Sequence, residues 1–388
     1  MRYKELTKNI YFKNYKKESK INKLKKDLDL ILNKKNSILN SLSSEYKNDY
    51  NLKKIQKIKK KLDLRIIGMG GSILGTQAIY SFLKKKIKKK TYFIDNLASN
   101  NIKTKNKNFL NLVISKSGNT LETLSNANIL INKNDKNIFI TEKKSSYLYL
   151  LAEKLKAEII HHNNFIGGRF SVLSEVGMLP AELMGFKSHS FRNLNSLIKN
   201  KKFINALISN VSSTLFYLKN KKFNSVILNY DQSSENLFKW YQQLVAESLG
   251  KKSKGILPII SNMPKDNHSV MQLYLDGFKK NFFTFFFIRD KFSPNIDNNK
   301  LLYLRNYLKN KSINQIVEIQ KIATENVFKK KKIPYRGFVI NNKNEKTISE
   351  LFIFFILETI LLGRALNVNP YDQPSVELIK TETYKIFN

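Results

Sequence analysis

The chain has 388 residues, 42% of them apolar, a globular composition long enough for two domains that each bury a core. It contains no cysteine, which excludes disulfides, thiolate metal sites and cysteine nucleophiles and fits a reducing, cytoplasmic compartment. The formal charge of +39 raises the question of a nucleic-acid partner, but the excess is lysine mixed with asparagine along the whole chain, as at 84–90 and 329–332, with no basic stripe or aromatic platform. No nucleic-acid role is expected.

Leu24, Leu28, Ile31 and Leu39 recur at helical spacing, so residues 1–60 are predicted to form a peripheral helical segment. The first residues alternate charges with aromatics and show no apolar h-region, which argues against a secretory leader. From Leu64 the texture changes to short apolar runs separated by amphipathic stretches. Arg65–Gly68, Tyr92–Asp95, Leu112–Ser115 and Ile138–Thr141 read as buried strands of parallel βαβ units, forming a first α/β domain over 61–190. A second round follows Phe203, with strands at Val226–Tyr230 and Phe282–Ile288 and a helix at Glu235–Ser248, giving a second α/β domain over 200–365. The continuous Phe run at 282–288 suits a strand covered on both faces. The Lys- and Asn-rich stretch 291–347 takes no assignment. Leu351–Leu362 is apolar but carries Glu358 and falls short of the ~20 residues that span a bilayer, so it reads as a buried core helix. Prolines at 370 and 374 break that helix and start another in 366–388.

Six segments carry candidate chemistry. Gly68-Met69-Gly70-Gly71-Ser72-Ile73-Leu74-Gly75 follows a predicted strand and opens a helix, a setting in which glycines and free N–H groups can cradle a phosphate. It is not a dinucleotide fingerprint, because the third glycine would fall on Ile73. A tight strand–helix turn is the alternative. Ser115-Lys116-Ser117-Gly118-Asn119-Thr120 offers three hydroxyls and an ammonium to phosphate oxygens. Its alternative is an ordinary helix cap at Thr120. Arg169 follows Gly167 and Gly168, which would let its guanidinium approach a ligand or make a salt bridge. Glu247 lies on a mostly apolar helix one turn after Gln243; it is a candidate base or a paired surface carboxylate. His268 stands in Lys265-Asp266-Asn267-His268-Ser269, as a functional imidazole or a loop-end cap. Lys380 follows Gln373 by almost two turns on the last helix, by spacing alone a surface helix. No His, Cys or carboxylate spacing suggests a metal site.

In order, these segments resemble the glucose-6-phosphate isomerase family, whose patterns include G-x-G-G-S-x-L-G, S-K-[ST]-x-x-T-x-E-T, G-G-R-[FY]-S-V-x-S-x-V-G, Q-x-x-x-E-S-x-G-K, an H-S loop and a terminal D-Q-x-x-V-E-x-x-K. The match runs from residue 68 to residue 380 and leaves the first sixty or so residues uncovered. Leu249 stands where Asn is common, Ser375 where Gly is usual, and Ile379 replaces the Gly before the terminal lysine. The resemblance implies two doubly wound parallel-sheet phosphosugar-binding (SIS-type) domains with peripheral helices, and a glycolytic and gluconeogenic aldose–ketose isomerase that works without metal or cofactor. It implies phosphate binding by Gly71, Ser72, Ser115, Lys116, Ser117 and Thr120, with Gln373 reaching the phosphate. It gives ring opening to His268 and Lys380, proton transfer between C2 and C1 to Glu247, enediolate stabilisation to Arg169 and hydroxyl orientation to Gln243. It further implies a homodimer with a shared active site, a small sugar phosphate as substrate, and no membrane partner. A different phosphosugar isomerase or a sugar-phosphate-sensing regulator of the same fold is the competing reading.

Overall fold

Strands where apolar runs precede glycine or serine, and helices between them, make two sheets in the computed structural model, which describes every residue except 1, 17–20, 35, 54–61, 98–107, 133, 302 and 388. The strands are β1 (Lys4–Thr7), β2 (Ile10–Lys13), β3 (Asp63–Gly68), β4 (Thr91–Ile94), β5 (Phe109–Ile114), β6 (Lys136–Thr141), β7 (Glu158–His161), β8 (Asn224–Asn229), β9 (Leu257–Asn262), β10 (Asn281–Ile288) and β11 (Tyr335–Ile340). The helices are α1 (Ile21–Asn33), α2 (Ser37–Leu42), α3 (Leu74–Phe82), α4 (Leu121–Leu130), α5 (Tyr147–Lys154), α6 (Glu175–Met184), α7 (Leu194–Lys199), α8 (Lys201–Lys219), α9 (Glu235–Leu249), α10 (Met271–Asp276), α11 (Ile313–Lys330), α12 (Glu345–Ala365) and α13 (Pro374–Phe387).

The first sheet is wholly parallel, in the order β4-β3-β5-β6-β7. From β3 the chain steps to one side to make β4 and then to the other to make β5. That reversal is the switch point at which doubly wound sheets bind ligands. Gly68 of β3 pairs with Ile114 of β5, so the loops that follow them start side by side. The second sheet, β1-β2-β11-β10-β8-β9, is parallel from β11 to β9 and reverses in the same way, between β8 and β10. Every residue of β10 is buried, as the Phe run predicts for a strand covered on both faces.

The amino terminus departs from the sequence reading. Residues 1–60 do include α1 and α2, but Lys4–Thr7 and Ile10–Lys13 form an antiparallel hairpin that adds to β11 at the edge of the second sheet. Its apolar positions alternate, with Leu6, Ile10 and Phe12 buried, and a four-residue strand is too short to outweigh helical periodicity further along. The unassigned stretch 291–347 contributes α11 and β11.

Helix α12 is buried from Thr347 to Gly363. Its one interior charge beyond the first two turns, Glu358, is ion-paired with Arg336 of β11 and accepts a hydrogen bond from Asn210 at 2.7 Å. A buried carboxylate without such partners would be strongly destabilising. Among the described residues, no helix is long and apolar enough to cross a membrane.

Candidate active site

The site begins where two glycine-bearing loops touch. After β3 the chain makes a single 3-10 turn, Gly70–Ser72, with Gly70 in the left-handed region at φ +51°. A Cβ on Gly71 would lie 2.2 Å from the carbonyl carbon of Gly168, so only glycine lets this loop rest on the backbone that carries Arg169. A Cβ on Gly70 would come within 2.8 Å of the Gln243 amide nitrogen. The glycines therefore bring residues 70–71, 168–169 and 243 together.

Arg169 is 2% exposed and all five of its N–H donors have protein acceptors. Nε donates to Ser248 Oγ at 2.9 Å and Nη1 to Glu247 Oε2 at 3.1 Å. Nη1 also donates to Gln373 Oε1, and Nη2 to the carbonyls of Pro370 at 2.7 Å and Asp372 at 2.9 Å. Burial pushes the guanidinium pKa down, and the Glu247 carboxylate beside it pulls it back up. The other oxygen of Glu247 accepts from Gln243 Nε2 at 2.9 Å, one turn earlier on α9. Both carboxylate oxygens are thus fixed, while the side chain keeps 30% of its surface open.

Lys251, at the end of the same motif, fastens the turn before α13. Its ammonium lies 2.9 Å from Asp372 Oδ1 and also donates to the Asn369 carbonyl. That pairing holds the Asp372 carboxyl below its ordinary pKa. The sequence gives Ser248, Lys251 and Asp372 no role of their own, although all three sit inside the quoted motifs, and it marks Pro370 only as a helix breaker.

The second loop leaves β5 at Ser115, which is buried. Its hydroxyl and that of Thr120 lie 2.9 Å apart. Thr120 occupies the N-cap position of α4 but makes no side-chain cap bond, so its hydroxyl turns into the loop instead of serving the helix. Gly118 is again left-handed, at φ +71°, where a Cβ would collide with Ser146 Oγ at 2.1 Å. Ser117 is exposed and accepts from the Asn119 N–H at 3.3 Å.

Lys116 Nζ donates to the Asn164 carbonyl at 2.8 Å and stands 3.8 Å from Glu142 Oε1. Burial pushes its pKa down, and Glu142 acts against that. His162 is 1% exposed, and burial drives its pKa to about 4, so the imidazole is neutral near pH 7. Glu142 and His162 escaped the sequence reading; the signal was a polar residue just past the predicted strand end at Thr141.

Among the described residues, neither His268 nor Lys380 makes a hydrogen bond to Arg169, Glu247 or Gln243. His268 stands at the end of the turn Lys265–His268 after β9, is not buried, and none of the hydrogen bonds of Arg169 or Glu247 reaches it. Lys380 is exposed on α13, a helix without a buried residue, and pairs with Glu377 at 2.7 Å. Tyr384 of that helix donates to the Asn119 carbonyl at 3.3 Å, so α13 crosses the Ser115–Thr120 loop. Gln373 meets Arg169 through its oxygen, which leaves its NH₂ as the group able to face an anion. Among the described residues there is no group of three or more His, Asp or Glu side chains suited to a metal ion.

A family model described as phosphoglucose isomerase matches residues 29–256. The glucose-6-phosphate isomerase of Methanocaldococcus jannaschii is 32% identical over 352 residues, 85% of this chain and 85% of that protein. That of Mycoplasmopsis pulmonis is also 32% identical over 352 residues, with 83% and 82% covered. Among solved structures, a glucose-6-phosphate isomerase from Chlamydia trachomatis superposes with TM-score 0.78 at 17% identity, covering 98% of this chain and 89% of that one. A hypothetical protein from Thermus thermophilus does so with TM-score 0.81 at 22% identity, covering 95% and 94%. At those identities the structural likeness is one of fold.

Proposed function

The chain belongs to the phosphoglucose isomerase family, and from that premise we propose that it interconverts glucose 6-phosphate and fructose 6-phosphate through a cis-enediol, with Glu247 as the base. The observation that carries this is the Glu247 carboxylate, held by Arg169 on one oxygen and Gln243 on the other, beside the Gly70–Gly71 loop at the first sheet's switch point.

In this reading the phosphate rests against Gly71, Ser72, Ser115, Lys116, Ser117 and Thr120, with the Gln373 amide as a further donor. His268 and Lys380 open the pyranose ring by moving a proton from the anomeric hydroxyl to the ring oxygen. Glu247 removes the C2 proton, leaving an enediolate, and returns the proton to C1. Oxidation at C2 and reduction at C1 balance within the sugar, so no redox cofactor enters. Arg169 has no uncommitted donor, so it acts on the enediolate through its fixed charge and by aiming Glu247. Gln243 orients sugar hydroxyls.

The reading divides the chain into phosphosugar-binding domains at 61–190 and 200–365, with 366–388 bringing the lysine. It makes the protein a cytoplasmic homodimer in which a second copy completes the site. His268 supports that arrangement, since no hydrogen bond holds it to Arg169 or Glu247 of its own chain. The direct test is a coupled assay of fructose 6-phosphate conversion in EDTA. Turnover without added metal is expected, because base and acid groups suffice for both proton transfers. Turnover that returns only with a divalent ion would contradict the scheme.

A further inference from the structure

The loops taken to hold the sugar phosphate lie at the switch point of the first sheet. The second sheet has the same reversal between β8 and β10, and the chemistry described so far makes no use of it. A cavity of about 660 Å³ opens there, within the range of small-molecule sites. It is lined from the carboxyl ends of three strands: Ser233 beyond β8, Ile288–Phe292 at the end of β10 and Asn341–Lys343 just after β11. The turn after α3 closes the other side.

The lining is cationic. Lys84, Lys85 and Lys86 line one wall, and Arg289, Lys291 and Lys343 the other; Lys8 of the amino-terminal hairpin adds a seventh charge. Four of the seven have carboxylate partners: Lys85 with Asp290, Lys86 with Glu345, Lys343 with Asp231 and Arg289 with Glu318. Lys8, Lys84 and Lys291 have no carboxylate in ion-pair reach among the described residues. Three uncompensated cations around one cavity suit a polyphosphate better than a single phosphate. The rest of the lining mixes polar groups (Asn9, Ser81, Ser233, Asn341, Asn342 and the Lys85-paired Asp290) with the apolar side chains of Phe82, Leu83, Ile288 and Phe292. Phe82 and Leu83 form a buried floor, and the Phe292 ring is 88% exposed. An aromatic face left in water beside cations is the surface on which a planar base can stack.

We propose that this crevice is a second ligand site, separate from the isomerase centre, that binds a nucleoside triphosphate, with the phosphates among Lys84, Lys291 and Lys8 and the base against Phe292. The site is built from the carboxyl ends of β8, β10 and β11 in the second sheet and the turn after α3, none of which the isomerase reading uses, so it stands or falls independently of the role given to Glu247.

The test is calorimetric titration of the full-length protein with ATP, and separately with tripolyphosphate, in physiological salt to suppress nonspecific attraction to a chain of this charge. One saturable site with Kd below ~1 mM is expected for ATP. The exposed pair Lys84→Glu and Lys291→Glu should weaken it by at least ~10-fold while leaving fructose 6-phosphate turnover unchanged. Lys116→Ala, in the first sheet's loop, should leave ATP affinity within about twofold. Phe292→Ala should weaken ATP and not tripolyphosphate. Absence of saturable binding would overturn the proposal, as would binding that survives the Lys84/Lys291 pair or is lost in Lys116→Ala. Tripolyphosphate binding as tightly as ATP, with Phe292→Ala silent, would overturn the nucleoside assignment.

Discussion

Lys116 shows how a side chain can be poised for an anion before one arrives. Its ammonium is partly desolvated, it donates to the Asn164 carbonyl at 2.8 Å, and Glu142 stands back at 3.8 Å. A dianion entering the Ser115–Thr120 loop would supply a nearer charge partner than Glu142. Phosphate is bound alike in the ground and transition states, so Lys116→Ala should raise KM by at least ~10-fold, from a lost charge-assisted bond of about 1.5–3 kcal/mol, with a much smaller change in kcat. Steady-state kinetics decide it: a loss confined to kcat places the phosphate elsewhere. Arg169 is the contrasting case. Its position after two glycines was legible in the sequence, but the five acceptors that occupy it come from 78 to 204 residues away, and no local pattern announces them.

At the scale of elements, the strands that carry the loops were the most legible, because continuous apolar runs ending in glycine or serine have few other readings in an α/β chain. Asn281–Ile288 and Glu235–Leu249 lie within one residue of the spans expected from the Phe run and the apolar helix. The amino-terminal hairpin was hidden because edge strands are short and half polar. β11 was hidden by the lysines around it, even though all six of its residues are buried. Helix α13 illustrates a different limit: its spacing marks a surface helix, and it is one, yet the proposed chemistry places Lys380 in the site. Lys380→Ala removes only an exposed pair with Glu377, so Tm should move by less than about 1 °C. Turnover of cyclic glucose 6-phosphate should nevertheless fall by at least ~10-fold. Thermal unfolding and turnover measured on one preparation separate the two; unchanged turnover would return the helix to a purely structural role.

At the scale of the whole molecule, each chain presents a fixed Glu247–Arg169–Gln243 array and a His268 outside it, and the proposed homodimer joins one to the other. If the histidine is lent across the interface, inactive His268→Ala and Glu247→Gln chains should recover activity when refolded together, because a mixed dimer then holds one intact site. Mixed dimers that form without activity would put both residues in the same chain's site. The central claim remains the proton carried by Glu247. Glu247→Gln keeps the side chain's shape and a hydrogen-bonding oxygen for Arg169 but cannot accept a proton, so isomerisation should fall by ~10²–10⁴. The decisive measurement is solvent deuterium entering C2 of glucose 6-phosphate, followed by NMR in D₂O. The account predicts exchange in the wild type and its loss in Glu247→Gln, with anomer interconversion largely retained; exchange at the wild-type rate in the variant would show that Glu247 is not the base.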